Sequence, residues 1–152
     1  MRSIGRRTGA LLVVAGLVAL AVGGWLVAPE PSLHISRLRL VGPPPHEVAD
    51  GAEREISDQA LIRAIHSAID AMPRVDESRY FCPISWGIRY RLEFARPGAP
   101  FVVTAEADGC RFVHQPLGDV RQSSPAFWDV LAEAMGVRPA DLFPDPALEM
   151  TR

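Results

Sequence analysis

The sequence predicts an α+β fold: an N-terminal transmembrane helix, then a small domain in which a three- or four-stranded antiparallel sheet carries two helices packed on one face. Three observations lead there. From residue 88 to 94 apolar and charged residues alternate strictly, the period of a strand with one buried face. The stretches 56–72 and 124–136 repeat apolar residues at the helical period. Residues 10–28 are 19 consecutive positions without a charge, enough at about 1.5 Å each to cross a hydrocarbon layer of about 30 Å.

The register of the sheet decides which side chains share a face. After residues 88–94 the loop 95–100 leads into a second apolar run. That loop sets Phe94 opposite Phe101, Leu92 opposite Val103, Tyr90 opposite Ala105 and Ile88 opposite Ala107. Asp108-Gly109 then has the composition of a two-residue type I′ turn, whose central residues need positive φ. Such a turn places Ala107 against Cys110, Glu106 against Arg111 and Ala105 against Phe112. The inner face then reads Ile88, Tyr90, Leu92, Phe94, Phe101, Val103, Ala105, Ala107, Cys110 and Phe112. Arg89, Arg91, Glu93, Thr104, Glu106 and Arg111 form the outer face. Ile88, Ala107 and Cys110 share one end of this sheet, and Cys82 lies six residues before Ile88. A Cys82–Cys110 disulfide is therefore expected. On the loop-entropy model its closed loop of about 28 residues stabilises the fold by roughly 3.5 kcal/mol.

Four segments are expected along the chain: a signal-anchor at 1–28, a spacer at 29–32, the α+β domain at 33–136 and an irregular, Pro-rich tail at 137–152. Arg2, Arg6 and Arg7 precede the apolar stretch and hold that end in the cytoplasm, so the domain stands outside, anchored in the cell membrane by residues 10–28. Ala19-Leu20-Ala21 has the small-x-small form of a cleavage site, and cutting near Ala21 would release a secreted protein instead. Residues 33–41 read as the fourth strand. Gly42-Pro-Pro-Pro to Glu55 lacks periodicity and reads as an exposed loop. For the helix 56–72, Ser57 is the expected cap and Leu61, Ala64, Ile65, Ala68, Ile69 and Met72 form its apolar stripe. In the second helix Ser124 caps, Pro125 occupies the first turn, and Gly136 terminates. Its residues Phe127, Val130, Leu131, Ala134 and Met135 face the core, with Trp128 at their edge.

Composition narrows the function classes. All 16 basic residues are Arg, and beyond the apolar stretch thirteen of them face eighteen carboxylates, a net of −5. A mildly acidic domain without a basic cluster speaks against nucleic acid as a partner. His34, His46, His66 and His114 lack metal-ligand spacing and both cysteines are committed to each other, so no metal or cofactor is expected. Ser57 and Ser85 lie in no Gly-x-Ser-x-Gly elbow, and the adjacent carboxylates of Asp76 and Glu77 point apart. A non-catalytic protein is expected. For a binding surface the candidates are the cross-strand row Arg89, Glu106 and Arg111, with Arg91 beside it, and Trp86 as an exposed anchor. Two arginines competing for one carboxylate would leave donors free for an anion or a partner. The alternatives are a solvated charge ladder and a tryptophan that closes the end of the core.

The pattern Met72-Pro73, Cys82-Pro83-x3-Gly87-x2-Tyr90-x-Leu92-x-Phe94, then Gly109-Cys110-x-x-Val113 resembles a group of small exported actinobacterial proteins of unknown function. Those proteins are similar in having a signal or lipoprotein segment, a strand, a helix ending near Leu-Pro and paired cysteines flanking a hairpin. The resemblance spans about residues 33–114 and implies export and the disulfide, but no activity. It departs at the start, where no lipid-accepting Cys is present, and at Met72, where Leu is usual. Residues 130–143 are similar to the closing helices of repressor-type helix-turn-helix domains, but nothing upstream supplies a recognition helix.

Together these readings lead to a membrane-tethered, extracytoplasmic, non-catalytic binding module for an envelope protein. The alternative is an inhibitor of a secreted enzyme, presenting loop 42–55 or 95–100. A hydrolase whose site assembles only in three dimensions is the third reading.

Overall fold

The computed structural model describes residues 31–41, 46–82 and 87–143. The chain divides into two compact units, Met1–Glu30 and Pro31–Arg152, and every described residue belongs to the second. The apolar stretch 10–28, the cleavage alternative near Ala21 and Trp86 lie outside the described residues. Among the described residues no helix is long and apolar enough to cross a membrane.

In chain order the elements are β1 (Leu33–Val41), β2 (His46–Ile56), α1 (Gln59–Asp70), β3 (Ile88–Phe94), β4 (Phe101–Glu106), β5 (Phe112–His114), β6 (Val120–Gln122) and α2 (Pro125–Met135). They build a small α+β domain around one antiparallel sheet of six strands, ordered β2-β1-β3-β4-β5-β6. Both helices cover the same face. The central pairing follows the alternation in the sequence, with Phe94 opposite Phe101, Leu92 opposite Val103 and Tyr90 opposite Ala105. On the covered face Leu33, Ile35, Tyr90, Leu92, Val103, Ala105 and Val113 pack against Ile65, Ile69, Phe127 and Leu131.

The expected three or four strands become six because two of them leave no mark in the side-chain pattern. Residues 46–56 are not a loop. They form an edge strand paired to β1 across a bulge between Ser36 and Leu38, where Gly51 takes φ 89° and Arg37 Nε meets Asp50 Oδ2 at 3.1 Å. Main-chain pairing with β1 builds this strand, and only Ile56 of its eleven residues is buried, so no apolar alternation is required of it. β6 has only three residues, too few for a period to show.

Helix α1 starts three residues into its expected span and is capped by Asp58 rather than Ser57, the Asp58 carboxylate accepting from Ala60 N (2.8 Å) and Leu61 N (3.3 Å). Ile62, Ile65 and Ile69 form its buried stripe. At its other end Arg121 Nη1 donates to Ile69 O (3.1 Å) and Asp70 O (2.8 Å), filling carbonyls that a helix terminus leaves unpaired. α2 follows expectation at both ends. Ser124 Oγ accepts from Phe127 N (3.3 Å), and Gly136 adopts φ 70° as the left-handed cap.

Two further expectations are corrected at and beyond α2. Trp128 is not at the edge of the core: it is buried, with its ring centroid 5.1 Å from Phe127 and 5.1 Å from Phe143, and its Nε1 donates to Ser123 Oγ at 3.0 Å. Nor does the domain end at 136, with an irregular tail from 137. Pro139–Leu142 form a 3₁₀ turn, Leu142 is buried, and the Tyr90 hydroxyl donates to Leu142 O at 2.9 Å. That bond satisfies the one polar group of a buried ring. Burial also pushes the Tyr90 phenol up to about 12, so it remains a donor at every physiological pH.

Candidate functional site

The face of the sheet away from the helices is where side chains remain available. Its geometry is set at one end by the turn between β4 and β5. A simple Asp108-Gly109 hairpin would pair Glu106 with Arg111. The backbone instead makes a wider turn in which Arg111 N donates to Asp108 O at 3.0 Å, with both Gly109 (φ 60°) and Arg111 (φ 56°) left-handed. Asp108 is buried, and its carboxylate lies 3.4 Å from Ile88 N. The turn is thus tied to β3 from inside.

The wider turn moves β5 by one residue, so that Ala105 pairs with Val113 and Thr104 with His114. Because side chains alternate between faces, a slip of one residue exchanges every one of them. Val113 becomes the inward residue, and Phe112, expected inside, joins His114 on the open face. Arg111 leaves the expected row altogether. Its guanidinium carbon sits 4.1 Å over the Phe143 ring, beside a second depression of about 340 Å³ lined by Trp128 and Ser123. The row is therefore Arg89, Glu106 and His114. Arg91 stands beside it as expected, with its Nε 2.7 Å from Glu93 Oε1.

Above this row lies a strap, residues 73–82. It leaves α1 along the β6 edge, where Gln122 N donates to Pro73 O (3.0 Å) and Val75 N to Val120 O (2.9 Å). It then crosses onto the open face. Asp76 caps the 3₁₀ turn Glu77–Arg79 by accepting from Ser78 N (3.2 Å) and Ser78 Oγ (2.6 Å), so Asp76 and Glu77 do point apart. Glu77 reaches His114 (Oε1 to Nδ1, 3.2 Å). Tyr80 meets Phe112 edge-on at 5.3 Å. Cys82 is bonded to Cys110, with Cα atoms 5.0 Å apart. Each step along the strap is thus a step back along β5, which it covers antiparallel. The disulfide expected from the sequence is present, and it marks an oxidising, extracytoplasmic environment.

Charges at this end form a chain of shared contacts. Arg89 divides its guanidinium between Glu47 (3.4 Å) and Glu106 (3.4 Å). His114 stands between Glu77 and Glu106, its Nε2 3.3 Å from Glu106 Oε1 as an ion pair too poorly aligned for a hydrogen bond. Burial raises the Glu106 carboxyl, but the His114 ring, Arg89 and the Phe112 backbone outweigh it and hold the group below its ordinary value. Contact with Glu106, aided by the charge of Glu77 and opposed by burial and by Arg89, raises His114 above its ordinary value. Three carboxylates thus surround one arginine and one histidine. The surplus of guanidinium donors expected of two arginines around one glutamate does not arise in this row, because Arg111 has left it.

The row borders a shallow depression of about 410 Å³ lined by Leu40, Gly87, Arg89, Glu106, Phe112 and the disulfide. Gly87 is required at its floor: φ is 74°, and a Cβ there would lie 2.7 Å from the Leu40 Cβ. Glu47, Glu77 and His114 are the site residues that sequence reasoning missed. Glu47 belongs to a strand without a pattern, and the other two depend on the one-residue slip. The clue in the sequence was Asp108 itself, an acidic residue just after an inward-facing Ala. Comparison with protein-family models, with curated proteins and with solved structures finds no match for this chain.

Proposed function

We propose that the chain is a membrane-tethered, extracytoplasmic binding module without catalytic chemistry, which docks an envelope protein through the open face of its sheet. One observation carries this reading. The same strands that bury their helix-side residues present a strap-braced surface of half-exposed charge around the depression beside Cys82–Cys110. The disulfide supports the extracytoplasmic side, and residues 10–28 supply the tether. His114 speaks against hydrolase chemistry at this site, because both of its ring nitrogens face carboxylates, which favour its protonated form over the neutral base that hydrolysis needs.

Photo-crosslinking in intact cells tests the docking face. A photoreactive side chain at Arg91, on the open face, should give a discrete adduct, whereas one at Arg63, exposed on α1, should not. No adduct from residue 91, or the same adduct from both, would remove the reading. Alkaline phosphatase fused after residue 35 should be active, and an inactive fusion would reverse the topology. One observation favours the inhibitor reading in part: residues 95–100 form a loop exposed throughout, although 46–56 is a strand and cannot be a second such loop. Inhibition of a secreted protease that disappears on shortening 95–100 would favour that reading over docking through the open face.

A further inference from the structure

We propose that residues 76–82 are a lid over the outer side of β5, hinged where Pro73 and Val75 bond to β6 and held by two latches, the Cys82–Cys110 disulfide at one end and a His114 imidazolium bridging Glu77 and Glu106 at the other, and that the second latch opens when the ring loses its proton to solvent. Nδ1 lies 3.2 Å from Glu77 and Nε2 lies 3.3 Å from Glu106. A neutral imidazole has one N–H and one lone pair, so after deprotonation one of these carboxylates faces a lone pair. Glu106 belongs to β4 and is shared with Arg89; Glu77 belongs to the lid. The carboxylate with the fewer remaining partners is the one that moves.

The surroundings of His114 leave the ring as the titrating element. Glu77 faces it from the lid, and Glu106 from β4, where Thr104 is its paired neighbour. Arg89 on β3 pairs with Glu106, and its charge opposes protonation of the ring. From β6 the opposite residue is the uncharged Val120, and the adjacent Asp119 is occupied by Arg74 (3.1 Å) and Arg121 (3.0 Å). Within the lid, Arg79 N and Tyr80 N bond to Asp76 O and Glu77 O. The 3₁₀ turn therefore moves as a unit, resting on the sheet through Glu77 and through the Tyr80 ring on Phe112. Lifting it uncovers Phe112, which is 3% exposed when covered, next to the depression. The raised His114 value agrees in sign: the latch is complete below about pH 6.5 and is lost as pH rises through the raised value.

The test uses the full chain with its disulfide intact and follows the Tyr80–Phe112 ring contact by nuclear Overhauser effect while His114 is titrated between about pH 6 and about pH 9. The contact should fall to less than half, in step with the His114 resonance. In His114→Gln it should be weak at every pH. Glu77→Gln, at an exposed lid position, should lower the His114 midpoint and weaken the contact already at low pH. A ring contact unchanged while His114 titrates, or a pH step that persists in His114→Gln, overturns the latch.

Discussion

On β3, β4 and β5 the residues Tyr90, Leu92, Val103, Ala105 and Val113 are at most 1% exposed. Their chain neighbours Arg89, Arg91, Thr104, Glu106 and His114 stand on the opposite face in partial contact with solvent. The same backbone serves two purposes. Apolar packing against α1 and α2 holds one face. Paired charges, a ring contact and a disulfide hold the other. Stability therefore resides on the covered face, and whatever responds to conditions resides on the open one.

The largest expected effect tests the covered face. Leu92→Ala deletes methyl groups at a fully buried position and should cost about 4 kcal/mol in denaturant unfolding. A cost near that of a surface substitution would mean that the core is built elsewhere. Next comes the fixed latch of the open face: Cys82→Ser with Cys110→Ser should lower stability by roughly 3.5 kcal/mol on the loop-entropy model, without shifting amide resonances of α1 and α2. Shifts throughout the helices would show that the two faces are not separable. Smaller again, Tyr90→Phe leaves Leu142 O without its donor and should cost about 1–2 kcal/mol. The loss should be accompanied by faster exchange in 139–143, the segment that closes over Trp128. An unchanged 139–143 would detach that segment from the core.

The smallest change is at Arg89. Arg89→Ala removes half-exposed ion pairs with Glu47 and Glu106 and should cost under about 1 kcal/mol; a loss as large as that of Leu92 would reverse the assignment of faces. Its signature is in pH. Glu106 is held below its ordinary value, so its contribution is present above the unfolded carboxylate pKa and disappears as pH falls through the lowered value. Without Arg89 that loss should begin at higher pH, visible as an earlier acid limb in a stability-versus-pH series. His114 sets the opposite limb, its contribution fading as pH rises through its raised value.

Local chemistry was enough for the central hairpin, the helix 124–136 and the disulfide, because each depends on residues whose neighbours in sequence decide their face. Alternation over seven residues from Ile88 placed Leu92 opposite Val103. Ser124, Pro125 and Gly136 each carry the geometry of a helix end. Cys82 and Cys110 come from opposite sides of a hairpin whose ends must meet.

The partition of β3 and β4 into a buried and a solvated face is legible in the residues alone. Side-chain period and burial are the same fact there, and the register of β3 with β4 comes with it. Other features exist only in the assembled fold. Edge strand β2 is held by main-chain bonds to β1, which any side chain permits. Leu142 and Phe143 join the core only because Tyr90 bonds to the first and Trp128 packs on the second. Above all, the choice between Arg111 and His114 beside Glu106 rests on one residue of turn length, set by a buried Asp108 that reaches across to Ile88 N. A turn's length is the outcome of a contact 20 residues away, and no periodicity in the strands on either side records it.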